Sequence, residues 1–175
     1  MYCSAHIRQL LPRLFEDRFD EEYWHRQYPG RLPAILRARE QCRDADLFLI
    51  EVATLKYFRD EDGYYLNNEF LKCDRHLSGS VLTADEFEEN LRSIHAFLRA
   101  RGKQAVFVSH FNPDGIPQRE MIIRTMARTG LSFYDPTPLV LAHLPCALSD
   151  QNHYHHDFES IVMNDLGSGI DTIQI

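Results

Sequence analysis

The sequence predicts an α/β fold: a three-layer sandwich with a short, mainly parallel sheet flanked by helices. Three observations in its 175 residues predict it. Two short runs, "DLFLIEVA" (46–53) and "QAVFVSHF" (104–111), are nearly continuous in apolar residues, as strands buried on both faces are. A third short run, "LSFYDP", ends at Pro136. Stretches of helical periodicity lie between them, and that alternation implies β-α-β crossovers and parallel pairing.

The elements follow in order. In "SAHIRQLLPRLF", Ile7, Leu10, Leu11 and Leu14 share one helical face, and Pro12 bends or restarts the helix. "DEEYWHRQYPG" is aromatic and polar and ends at the breaker Pro29-Gly30; its Tyr23-Trp24 pair reads as core or interface. "LPAILRAREQC" is a second helix, with Pro33 in its first turn. The first strand follows, and then "RDEDGYYLNNEF", a turn-rich loop around Asp62-Gly63. From Thr83 the pattern is helical again. Thr83 and Glu86 have capping-box spacing, Phe87, Leu91, Ile94 and Leu98 line one face, and Gly102 stands where a C-terminal cap belongs. After the second strand, "PQREMIIRTMARTG" is a helix ending at Gly130. The third strand leads through a loop to "YHHDFESIVMNDLG", an amphipathic helix with Phe158, Ile161, Val162 and Leu166 apolar. No repeat or linker divides the chain, so residues 1–175 read as one domain.

Composition removes several classes of function. The net charge of −7 argues against nucleic acid as the main partner. The cysteines, Cys3, Cys42, Cys73 and Cys146, form no C-x-x-C pair, so zinc-ribbon and thioredoxin-type chemistry lack support and buried free thiols are expected. There is no G-x-S-x-G, Walker A or G-x-G-x-x-G motif, so no nucleotide cofactor is implied. Arg8 and Arg13 interrupt the first apolar stretch, and no run reaches membrane-spanning length. The expectation is a cytoplasmic protein with no membrane or nucleic-acid partner.

In parallel sheets ligands bind beyond the C-terminal ends of the strands. Glu51, Thr54 and Lys56 follow the first strand, and Ser109, His110 and Asn112 the second. Tyr134 and Asp135 end the third, ahead of the loop to Asp150 and His153. Asp150, three residues before His153, suits a carboxylate that fixes the imidazole tautomer and leaves the other nitrogen as a base; it equally suits a helix cap. A metal reading would draw on His153, His155, His156 and Asp157, but one helix supplies only two ligands on a face, and no metal is expected. Ser109 and His110 are adjacent on a strand and point to opposite faces, so they are a poor nucleophile–base pair for each other. Ser4 opens the first helix either as its N-cap or as a nucleophile near the helix amides. Asn67 and Asn68 can bind sugar hydroxyls or an oxyanion, or simply make a turn.

The strand "SFYDP", the loop and "DQNHY" before a helix resemble the last block of the SGNH/GDSL hydrolase superfamily. "DLFLIEVATLKYF" resembles its third block and "AVFVSHFNP" its next strand, so that the likeness covers roughly residues 45–166. The resemblance implies a Ser/His/Asp-type esterase or acyltransferase without a cofactor. Its substrate would be an O-acylated small molecule or carbohydrate, as in branches linked to surface polysaccharides. His153 is then the base, Asp150 its orienting partner and Ser4 the nucleophile, with Ser109, Asn67 and Thr54 contacting substrate. The chain departs from the family in two blocks. No Gly-Asp-Ser is present, and Ala53 stands near the position of the oxyanion-donating Asn. A missing nucleophile strand would leave a sheet edge for a partner subunit or a second copy to cover. The alternative is therefore a non-catalytic, partial hydrolase-like subunit that binds a partner or glycan.

Overall fold

The computed structural model describes residues 3–66, 77–144, 146–150 and 153–172. Its elements run α1 (Ser4–Phe15), α2 (Glu21–Gln27), α3 (Leu32–Asp44), β1 (Leu47–Val52), β2 (Lys56–Arg59), β3 (Tyr65–Leu66), β4 (Ser78–Val81), α4 (Ala84–Arg99), β5 (Gln104–Ser109), α5 (Pro117–Thr129), β6 (Phe133–Tyr134), α6 (Thr137–Ala142) and α7 (His156–Thr172). The main sheet has the order β1-β5-β6 and is parallel throughout, with Leu47 beside Gln104 and Phe107 beside Phe133. The α/β class is therefore as the sequence predicts.

Side-chain alternation along these strands separates two faces. One face carries Phe48, Ile50, Val52, Ala105, Phe107 and Phe133 into the principal core. That core also takes Ala5 and Leu11 from α1, Phe87, Leu91, Ile94 and Leu98 from α4, and Ile122 and Met126 from α5. The four α4 residues are at most 2% exposed, so the stripe read from the sequence is the buried stripe. Each such side chain contributes about 1.5–3 kcal/mol on burial, as an upper value. The other face carries Tyr134 against α7, where Phe158 and Val162 join Phe111, Val140 and Ala147 in a second cluster. Tyr23 and Trp24 are buried with Ile35 in a third cluster among α1, α2 and α3.

Several expectations are corrected. The first strand is not buried on both faces: Leu49 and Glu51 are exposed, because β1 is the sheet's edge among the described residues. The stretch read as one turn-rich loop contributes to a small antiparallel sheet, order β3-β2-β4, inserted between β1 and α4. Its turn at Gly63 has positive φ, as the sequence suggests. Gly79 lies so close to Phe58 that a Cβ there would sit 2.9 Å from the ring, which explains a glycine within a strand. Pro12 lies inside one continuous helix, α1, rather than restarting it. The loop after β6 contains the short helix α6. Thiol burial is uneven: Cys3 is buried, Cys42 half-buried and Cys146 exposed, while Cys73 lies outside the described residues. Among the described residues no helix is long and apolar enough to cross a membrane.

Candidate active site

The C-terminal ends of β1, β5 and β6 gather the polar side chains that the core excludes. Beyond them Ala147–Asp150 and His153–His155 fold back on each other. His155 N–H donates to the Ala147 carbonyl at 2.9 Å and Ser149 N–H to the His153 carbonyl at 3.0 Å, with Leu148 bridging Tyr154. This fold-back brings Asp150 and His153 together. Nδ1 of His153 lies 2.9 and 2.8 Å from the two oxygens of Asp150. An ionised carboxylate only accepts, so Nδ1 carries the proton and Nε2 the lone pair. Both side chains reach solvent, with 73% exposure for His153 and 55% for Asp150. Asp150 is not the cap of the last helix, which begins only at His156.

A second carboxylate–imidazole pair stands at the same edge. The register aligns Glu51 with Val108, and His110 lies two residues further along the same face. His110 Nδ1 is 3.1 Å from Glu51 Oε1. The bond from His110 is the largest influence holding the Glu51 carboxyl below its ordinary range, against the opposing effect of burial. The imidazole is 9% exposed, and its Nε2 is buried with no hydrogen-bond partner among the described residues. Phe111 stacks on His110 with ring centres 4.4 Å apart, and Tyr154 packs on Phe111 at 4.7 Å. The Tyr154 hydroxyl is pushed well above its usual range by burial first and then by the Glu51 and Asp135 carboxylates, so it stays a neutral donor. Tyr154 thus links the two pairs, being next to His153 in sequence and within the field of Glu51.

The opposite face of the same edge is structural. Ser109 Oγ donates to Asp135 Oδ1 at 3.1 Å, and that oxygen also accepts from the Thr137 N–H at 2.9 Å and hydroxyl at 2.6 Å. Thr137 Oγ1 accepts from the Asn112 N–H at 3.0 Å, and the Asn112 side chain in turn accepts from Ile116 N–H at 2.7 Å. These bonds fix the β5 and β6 exits relative to each other. Ser109 and His110 therefore serve separate partners on separate faces, as strand alternation requires.

Of the residues singled out in the sequence, the structure joins Asp150 to His153. Among the described residues the His153 ring bonds to no hydroxyl or thiol. Ser4 is fully buried, and its Oγ accepts from Asn90 Nδ2 at 3.3 Å. It is the first residue of α1 and not its cap, since Cys3 occupies that position. Thr54 is buried and accepts from the Lys56 N–H at 3.1 Å. Asn67 lies outside the described residues. His155 and His156 are exposed, and among the described residues no group of three or more His, Cys, Asp or Glu side chains converges as a metal site. The Glu51–His110 pair escaped the sequence, although both residues stand at strand ends, because only the register puts them on one face. In comparison with known proteins, no family model, no curated protein and no solved structure matches this chain.

Proposed function

We propose that the chain is an SGNH-like ester hydrolase or acyl transferase acting on an O-acylated small molecule or carbohydrate, with His153 as general base and Asp150 as its orienting partner. The observation that carries the proposal is the two-oxygen contact of Asp150 on His153 Nδ1, on a solvent-facing loop. A carboxylate so placed fixes the tautomer and stabilises the imidazolium that forms when Nε2 takes a proton. Ser4 is the nucleophile of this reading. It opens a helix, where backbone amides favour developing negative charge, and its Oγ has to leave Asn90 before it can act. For this step α1 would have to bring Ser4 to the loop of His153; His153 Nε2 then takes the Ser4 proton as Oγ bonds to the acyl carbon. The ester's alcohol leaves with that proton, and water or another hydroxyl releases the acyl group by the reverse sequence. Thr54, Ser109 and Asn67 are the substrate contacts of this reading; Thr54 and Ser109 are buried and hydrogen-bonded to Lys56 N–H and Asp135, so substrate would have to displace those partners. A cytoplasmic setting belongs to the same proposal and is supported by the free thiols Cys3, Cys42 and Cys146.

The test is turnover of p-nitrophenyl acetate by the full chain. His153→Ala is expected to lower kcat/KM by about 100-fold or more, the scale of a lost general base, and Ser4→Ala to abolish the acyl-enzyme burst. Wild-type turnover that His153→Ala leaves unchanged would sink the proposal. The full burial of Ser4 favours a second reading, a partial hydrolase-like subunit that binds a glycan or a partner chain. Among the described residues β1 stands at an edge of the main sheet, where a partner, or a second copy, would add a strand. That reading gains if the folded wild type turns over no ester at all.

A further inference from the structure

We propose that Arg59 and Ser78 form a binding subsite for the carboxylate of a small organic acid, in a cavity on the inserted antiparallel sheet. The subsite stands apart from the ester chemistry and uses neither His153 nor Ser4.

Arg59 is a cation without an anion. It closes β2, and the register sets it opposite Ser78 of β4, so the two side chains share one face of the small sheet. Both line a cavity of about 320 Å³, together with Asp60, Glu61 and Leu77. The guanidinium lies 4.4 Å from the centre of the Tyr65 ring and 5.2 Å from that of Tyr57. Stacking on aromatic rings holds the planar fork and leaves its edge for an acceptor. Nη2 donates to the Tyr65 hydroxyl, and Nε is buried with no partner. Nη1 is therefore the nitrogen that the cavity can reach, and among the described residues it makes no hydrogen bond.

The carboxylates nearby are committed elsewhere. Asp60 accepts from the Tyr64 N–H at 2.9 Å and from Arg26 at 3.1 Å, and its side chain is only 3% exposed. Glu86 feels the charge of Arg59, but Thr83 holds it through its N–H at 2.8 Å and its hydroxyl at 3.0 Å. Among the described residues no carboxylate lies within ion-pair distance of Arg59, whereas Arg26 takes both Asp60 and Asp62. A half-buried charge left in this way is costly, and an incoming anion offsets the cost.

The walls narrow the class of anion. Nη1 and the exposed Ser78 hydroxyl are two donors, and a carboxylate brings one oxygen to each. Asp60 and Glu61 line the same cavity and repel a second negative charge, which favours a monoanion over a phosphate dianion. The volume is near the lower bound for small-molecule sites, so the acid is small, and Leu77 gives its alkyl part an apolar contact.

The experiment is a proton–nitrogen-15 NMR titration of the full chain with sodium butyrate at constant ionic strength. It is read at the Arg59 Nε–H, identified by Arg59→Lys, and at the Ser78 amide. Butyrate should shift both signals in a saturable way, with a Kd on the order of millimolar. Butanamide, its neutral counterpart, should shift neither. Arg59→Lys keeps the charge without the stacked fork and should weaken the response at the Ser78 amide at least several-fold. Glu61→Gln removes a like charge from the cavity and should strengthen it. Signals that butyrate leaves unmoved in the wild type overturn the proposal, as does an equal response to butanamide. Tighter binding of inorganic phosphate overturns the assignment to a carboxylate.

Discussion

His6 shows what burial does to a single side chain. It is 1% exposed, with Nε2 3.2 Å from the Tyr28 hydroxyl and the two rings stacked. Burial first, aided by a positive charge, lowers its pKa from 6.5 to about 4. Between those values the unfolded chain binds a proton that the folded chain refuses. Stability is therefore complete above the unfolded pKa and falls as pH drops from 6.5 towards 4, by an amount on the order of 3 kcal/mol. Urea midpoints at pH 7.5 and pH 5 should show the onset of this loss in the wild type and a shallower loss in His6→Gln. Equal slopes for the two proteins would refute the assignment. At the candidate site the two acid–imidazole pairs differ in how far they could be read ahead. Asp150 and His153 are three residues apart, and a local turn suffices to join them. Glu51 and His110 are 59 residues apart, and no local pattern reports that pairing.

Among the elements, α4 is the one whose sequence speaks most fully. Thr83 Oγ1 accepts from the Glu86 N–H at 3.2 Å, and the Glu86 carboxylate accepts from the Thr83 N–H at 2.8 Å. This is the reciprocal box that the spacing predicts. Thr83→Ala should lower stability by about 1 kcal/mol, within a range of roughly 0.5–2. Chemical denaturation measures it, and a loss below a few tenths would show that the cap is redundant with the packing of Phe87. Gly130 likewise ends α5 in the left-handed conformation. The small sheet was illegible for the opposite reason. Strand β4 is Ser78–Val81, exposed at every position, and carries neither alternation nor an apolar run. It exists through pairing with β2 and not through its own composition. The strand β1 misled in another way. Its apolar run fits a central strand, yet Leu49 and Glu51 face outwards at the edge, because hydrophobicity alone does not say how many neighbours a strand has.

At the scale of the whole molecule, the α/β class and the three strands of the main sheet were visible in the alternation of patterns. Which strand is central was not, since that depends on pairing across long separations. The resulting order, β1-β5-β6, has a kinetic consequence. β5 meets β6 after the single helix α5, whereas β1 meets β5 only after the chain has passed through the whole antiparallel sheet and α4. Longer closure costs more entropy, though only about 0.6 kcal/mol per doubling. The segment from α4 to β6 also packs against itself through Phe87, Leu91, Phe107, Ile122 and Met126. That segment is where the rate-limiting structure should assemble, with β1 docking late. Ile122→Val should slow refolding in stopped-flow chevrons, while Ile50→Val should mainly speed unfolding. If Ile50→Val slows refolding as much, the edge strand is part of the nucleus. Late docking makes β1 the strand whose loss would open the Glu51 side of the candidate site first, well before the core around α4 gives way.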